Sequence, residues 1–88
     1  MAGFEETRDR LRALEDRAEA EPGEALDDLE SVIRSLDEML EYRHDQAAAL
    51  LLNEDFVGAA QLLGQNAMLL QRASNLTMTL RTQTQRRR

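Results

Sequence analysis

The sequence has no cysteine, which excludes disulfide bonds, thiolate metal sites and catalysis by a thiol. Aromatic residues make up only 3% of the chain, and alternating apolar and polar segments are missing, so β-structure has no support. The longest unbroken apolar run is residues 47–52. A membrane-spanning helix needs about 20 apolar residues, so a membrane protein is not expected.

Lysine is also missing, and all 11 basic residues are arginine. Residues 1–80 contain all 17 acidic residues but only seven arginines, a formal charge of −10, whereas residues 81–88 contain four arginines and no acid. An acidic body repels nucleic acid and anionic lipid, so only the basic end favours either of them. The first residues lack the apolar segment of a signal peptide, and we therefore expect a cytoplasmic protein.

The one proline, Pro22, stands before Gly23 and predicts the end of a first helix. A second break follows Leu52, where Asn53 suits the N-cap of a third helix. We predict helices over residues 4–20, 24–52 and 54–80, followed by a flexible basic tail over residues 81–88. The expected fold is all-α, either an antiparallel three-helix bundle or an elongated helical hairpin that dimerises.

Apolar residues recur at helical spacing in each segment. The third helix has a broad apolar side and a second line at seven-residue spacing. The broad side consists of Phe56, Ala59, Ala60, Leu63, Ala67, Leu70, Ala73 and Leu80, and the second line of Leu62, Leu69 and Leu76. We predict four residues as anchors for a protein partner or for a second copy: Leu36, Phe56, Leu63 and Leu70. These residues suit an internal core equally well.

Glu41 and His44 are the residues with metal-ligand spacing, because side chains three positions apart share one face of a helix. Di-iron helical bundles use this spacing. Folding the first helix back would bring Glu5 or Glu6 to the same level, and a dimer would double the set. The alternative is that Glu41 is solvated and His44 lies at the edge of the apolar face. A metal-binding half-bundle at an oligomer interface therefore stays open.

Catalysis has little support, since there is one histidine, three serines and no glycine-rich turn after a strand. We expect neither an enzyme nor a cofactor. The arginines of the basic end, Arg81, Arg86, Arg87 and Arg88, could neutralise phosphates, although no aromatic residues alternate with them for base stacking. A nucleic-acid accessory protein is thus an alternative, and a solubilising end is the simpler explanation.

The pattern from Met39 onward resembles the C-terminal helical domain of the iron–sulfur co-chaperone HscB. The resemblance lies in Met39, in Arg43-His44, and in the segment Leu52-Asn53-Glu54-x-Phe56-x-x-Ala59-Ala60, which together span about half the chain. It implies three helices with a short turn before the last, and docking onto a cluster scaffold protein through the first helix. The sequence Phe4-Glu5-Glu6-Thr7-Arg8 departs from the apolar start of that helix. The 88 residues contain no J-domain and no His-Pro-Asp motif, so chaperone stimulation is not implied.

The segment Asp55-Phe56-x-x-Ala59-Ala60-x-Leu62 is also similar to the second half of the UVR helical hairpin of excision-repair proteins, which docks other proteins. We therefore predict a non-enzymatic interaction or assembly module, adaptor-like or co-chaperone-like. A small secretion or assembly chaperone is a further alternative.

Overall fold

A computed structural model describes residues 3–86. The chain forms three helices, α1 (Phe4–Arg17), α2 (Pro22–Leu52) and α3 (Phe56–Arg86), and no strand occurs within residues 3–86. The helices pack side by side into a bundle of 53 × 20 × 15 Å. The predicted all-α bundle is therefore confirmed.

The two long helices form an antiparallel hairpin, and the short α1 covers only part of it. At about 1.5 Å per residue, α2 and α3 are each roughly 46 Å long, whereas α1 is roughly 21 Å long. At the start of α1, the Phe4 ring lies 4.8 Å from the guanidinium carbon of Arg43, in the second half of α2. The distal hairpin, residues 44–65, therefore extends beyond α1.

The helix ends differ in detail from the prediction. Pro22 is the first residue of α2, where its fixed φ and missing N–H cost nothing. We predicted Asn53 as the N-cap of the third helix, and this is wrong: its backbone N–H and its side-chain Nδ2 both donate to carbonyls of α2. Asp55 caps α3 instead, because its Oδ1 accepts a hydrogen bond of 3.0 Å from the N–H of Gly58.

The helix α3 continues to Arg86, six residues beyond the predicted end at Leu80. Threonine is a weak helix former, but tertiary packing outweighs propensity here because Leu80 is buried in the core. Four threonine hydroxyls donate to the carbonyl four residues earlier, so these hydroxyls are satisfied within the helix. These donors are Thr77, Thr79, Thr82 and Thr84. Arg81 and Arg86 thus lie in α3, while Arg87 and Arg88 fall outside the described residues.

The core is a single apolar cluster with members from all three helices. These are Leu11 and Leu14 of α1, Ala18 directly after α1, Ala25, Leu29, Val32, Leu36, Met39 and Leu40 of α2, and Leu69, Ala73, Leu76 and Leu80 of α3. In the distal hairpin the two helices meet through the small residues Ala47 and Ala59, which are also buried. The bundle is therefore thickest where α1 lies and thinnest at the distal hairpin.

Candidate functional site

Charge is distributed very unevenly among the three helices. Nine of the 14 residues of α1 are charged, and residues 22–45 of α2 contain eight acids and two arginines. By contrast, residues 56–80 of α3 contain one charged residue, Arg72. Exposed faces of helices in globular proteins normally carry charged and polar residues. The outward face of α3 therefore differs from that of an ordinary surface helix.

An exposed apolar line runs along the first half of α3. We call it the outer stripe, and it consists of Phe56, Ala60, Leu63, Ala67 and Leu70. Its three large side chains are 63%, 42% and 48% exposed for Phe56, Leu63 and Leu70 respectively, and both alanines are exposed. Successive members are four or three residues apart, the spacing at which helices pack along a seam.

The outer stripe points away from α1. Arg72 of α3 forms an ion pair with Glu15 of α1, so Arg72 marks the side of α3 that faces α1. Because an α-helix turns about 100° per residue, Leu70 points about 160° away from Arg72 around the axis. The face opposite α1 is thus the one that presents the outer stripe.

Exposed apolar residues of α2 lie on this same side of the hairpin. Arg10 of α1 donates to the hydroxyls of Ser31 and Ser35, which marks the side of α2 that faces α1. Ile33 lies between these serines and points about 160° away from each of them. Leu26 lies seven residues before Ile33, about two helical turns, and Leu51 lies 18 residues after it, five full turns. Both therefore share its flank, and both are 48% exposed. Three exposed apolar residues of α2 thus flank the outer stripe, with Glu30, Asp37 and His44 between them on the same side of the helix.

Three of the four predicted anchors lie on one exposed line in the structure, and the fourth is buried. Phe56, Leu63 and Leu70 form one exposed line, whereas Leu36 is 2% exposed and belongs to the core. We predicted that the eight residues of the broad side of the third helix share one face, and this is wrong, because the structure divides them between the core and the surface. Ala59, Ala73 and Leu80 join the line of Leu69 and Leu76 in facing the core.

Glu41 and His44 are both exposed on α2, and no group of three or more His, Cys, Asp or Glu within residues 3–86 is arranged to hold a metal ion. His44 is nine residues from Ser35, which places it about 180° from the side of α2 that faces α1. Glu5 and Glu6 of α1 therefore lie along the other side of α2 from His44. A metal site that is completed by an oligomer stays an untested prediction.

The basic end does not form a cluster within the described residues. Arg81 and Arg86 are exposed in the last turns of α3, and five residues of helix turn their side chains about 140° apart. Nucleic-acid binding through Arg81, Arg86, Arg87 and Arg88 stays an untested prediction.

A polar layer that the sequence did not reveal joins all three helices where α1 begins. Arg43 donates from Nε to Asn66 Oδ1 and from its terminal nitrogen to Gln65 Oε1, both at 2.6 Å. Its guanidinium also lies over the ring of Phe4. Burial lowers the pKa of Arg43. Beside it, Thr7 and Asn66 are 0% and 2% exposed.

Two patterns in the sequence predict the burial of Thr7 and the unusual outward face of α3. Thr7 completes the series of Phe4, Leu11, Leu14 and Ala18 at spacings of three and four, so its position alone predicts burial. The charge-free run in α3 is visible in the sequence, and it separates that helix from the other two.

Comparison of the chain with protein-family models, with curated proteins and with solved structures finds no match. The resemblances to HscB and to the UVR hairpin therefore stay predictions. No helix among residues 3–86 is long and apolar enough to cross a membrane.

Proposed function

We propose that the chain is a non-enzymatic docking module that binds another α-helix along the outer stripe of α3. The helix that covers the stripe belongs to a protein partner or to another copy of the chain. The observation that supports this proposal is the exposed line of Phe56, Leu63 and Leu70 on a helix face without charge. Contiguous exposed apolar surface marks interaction sites in soluble proteins.

The size of the stripe sets a requirement on the docked helix. Burying a Leu or Phe side chain completely contributes about 1.5–3 kcal/mol, so covering three half-buried side chains contributes roughly 2–5 kcal/mol. Association costs about 4–15 kcal/mol in lost translational and rotational freedom. The three side chains of the outer stripe therefore supply only part of the binding free energy, and the docked helix must bury apolar side chains of its own against them.

The small residues of α3 favour a helix as the docked element. Ala60 and Ala67 alternate with the large side chains, and Gly64 lies next to them. The distance between two packed helices is about 8–10 Å and shrinks when the residues at the contact are small. A close helix–helix contact would add packed surface between the alanines to that of the three large side chains. An adaptor, a co-chaperone-like module and a small assembly chaperone would all use such a contact. The cytoplasmic location that we expect from the sequence stays a prediction.

Photo-crosslinking in native cells tests this proposal. Leu63 is replaced by the photoreactive residue p-benzoylphenylalanine, and the adducts are separated by mass and identified by mass spectrometry. We expect protein adducts at this position because the proposal requires the stripe to be covered. Tyr42 is the matched control site, since it is 55% exposed but lies among Glu38, Glu41 and Asp45. The absence of adducts at position 63, or equal yields at both positions, would contradict the proposal.

A further inference from the structure

We infer that the outer stripe binds the outer stripe of a second copy, with the two α3 helices antiparallel and Leu63 on the twofold axis. This inference depends on the proposed docking function and identifies the docked helix as α3 of a second copy of the chain. It rests on the order of side chains in the stripe, on its charge and on the position of the acidic turn before α3.

The order of side chains reads the same in both directions. Large residues stand at Phe56, Leu63 and Leu70, and alanines stand between them at Ala60 and Ala67. In an antiparallel pair centred on Leu63, Phe56 is level with the partner's Leu70, and Ala60 lies within one residue, about 1.5 Å along the axis, of the partner's Ala67. A twofold interface requires such a self-complementary patch. The second copy thus supplies a surface of matching length and matching order.

The absence of charge also favours a second copy. Burying a charged group without a partner is costly, so a partner that covers the stripe must itself present few charges. Most of the exposed surface of this chain fails that condition, because α1 and residues 22–45 of α2 are densely charged. The outward face of α3 meets it, since Arg72 is the one charged residue between 56 and 80 and it pairs with Glu15 instead.

The acidic turn before α3 selects the antiparallel arrangement. Glu54 and Asp55 directly precede the stripe. In a parallel pair these acids would lie beside the same acids of the partner and repel them. In the antiparallel pair centred on Leu63 the two turns are roughly 24 Å apart along the axis. This separation exceeds the screening length of about 8–10 Å at ordinary salt, so the repulsion is removed.

The first test is the mass of the purified chain as a function of concentration, measured by sedimentation equilibrium. We expect the mass to rise from 10.0 kDa towards twice that value. Leu63→Glu places two carboxylates at the twofold axis and should weaken the dimer at least about 30-fold, the loss of a central anchor residue. Tyr42→Glu, at an exposed site away from the stripe, should leave the dimer unchanged. Circular dichroism checks that both variants remain helical.

Disulfide trapping tests the orientation, since the sequence offers no competing thiol. Leu63→Cys should form a disulfide-linked dimer under mild oxidation. An equimolar mixture of the Phe56→Cys and Leu70→Cys chains should form the mixed disulfide and little of either homodimer. Predominant homodimers would overturn the antiparallel arrangement.

The outcomes separate this inference from the proposed function. A chain that stays at 10.0 kDa at all concentrations, but crosslinks at position 63 to a different protein, overturns the second copy and keeps the docking function. A monomer without crosslinks at position 63 overturns both. A dimer that tolerates Leu63→Glu places the interface elsewhere and overturns the inference.

Discussion

The two long helices have the same length and opposite outer surfaces. Both have 31 residues, and both contribute an apolar line to the same core. Outside that line, residues 22–45 of α2 present eight carboxylates to solvent, while residues 56–80 of α3 present amides, hydroxyls, alanines and leucines. The outward face of α2 between residues 22 and 45 has the charge of an ordinary solvent-exposed helix, and the outward face of α3 is the one that we propose binds another helix. Burial alone does not distinguish these two faces, and charge does.

A cluster of ion pairs around Arg17 spans the turn between α1 and α2. Arg17 contacts the carboxylates of Glu21 and Glu24 at 3.2 Å and that of Asp28 at 2.9 Å. Hydrogen bonding to Glu24, and then to Arg17, lowers the pKa of Glu21, whereas the hydrogen bond to Glu21 raises the pKa of Glu24. All four groups are exposed, so each pair contributes little to stability. On this side, charge directs α1 onto α2 without a large cost of desolvation.

The largest expected effect distinguishes the two apolar lines of α3. Leu69→Ala should lower the free energy of unfolding by about 2–5 kcal/mol, because Leu69 is fully buried and its removal leaves a cavity. Leu70→Ala, one residue later on the outer stripe, should cost less than about 1 kcal/mol in the monomer. Urea unfolding of both variants measures the difference, in a Leu63→Glu background that weakens the proposed dimer and at a protein concentration where sedimentation shows a monomer. Equal losses would show that the two lines are not separate.

The next effect concerns the polar layer around Arg43. Asn66→Ala removes the Oδ1 that accepts from Nε of Arg43, and should cost about 1–3 kcal/mol because the partly buried guanidinium loses one of its two acceptors, while Gln65 Oε1 remains. Asn75→Ala is the matched control, since Asn75 is an exposed amide of the same helix that accepts from Gln71. Its expected cost is within about 0.5 kcal/mol, measured by the same unfolding experiment. A cost for Asn66→Ala as small as that of the control would contradict a structural role for the layer.

The smallest effect concerns the one charge in residues 56–80 of α3. Arg72→Gln removes the ion pair with Glu15 and should cost about 0.2–1 kcal/mol, decreasing with added salt, because both side chains are partly exposed. A double-mutant cycle with Glu15→Gln at low and high salt measures this coupling energy. The dimer should be unaffected, since Arg72 points away from the stripe. A coupling that salt does not change, or a weakened dimer, would contradict this assignment.

The sequence predicted the three helices well because proline, glycine and the break after Leu52 mark their limits locally. It did not separate the two lines of α3, because Phe56, Leu63 and Leu70 repeat at the same interval as Leu62, Leu69 and Leu76. An equal period gives both lines an equal claim to the core, and only the position of α1 decides between them. The cap of α3 was misplaced for a similar reason, since Asn53 and Asp55 are both good caps, and the backbone geometry of the turn selects Asp55.

The short α1 has a consequence for the mobility of the hairpin. Beyond the layer formed by Arg43 and Asn66, the buried residues of α2 and α3 are Ala47 and Ala59, and Leu50 and Leu62 are only half-buried. Separating the two helices there exposes less apolar surface than in the three-helix part. Local openings of the distal hairpin should therefore need much less free energy than global unfolding, and its amide hydrogens should exchange first. The far end can thus change its crossing angle while the part around Leu36 and Leu69 stays intact. Phe56, Ala60 and Leu63 of the outer stripe lie in the distal hairpin, so we expect this part of the stripe to adjust its position when another helix docks.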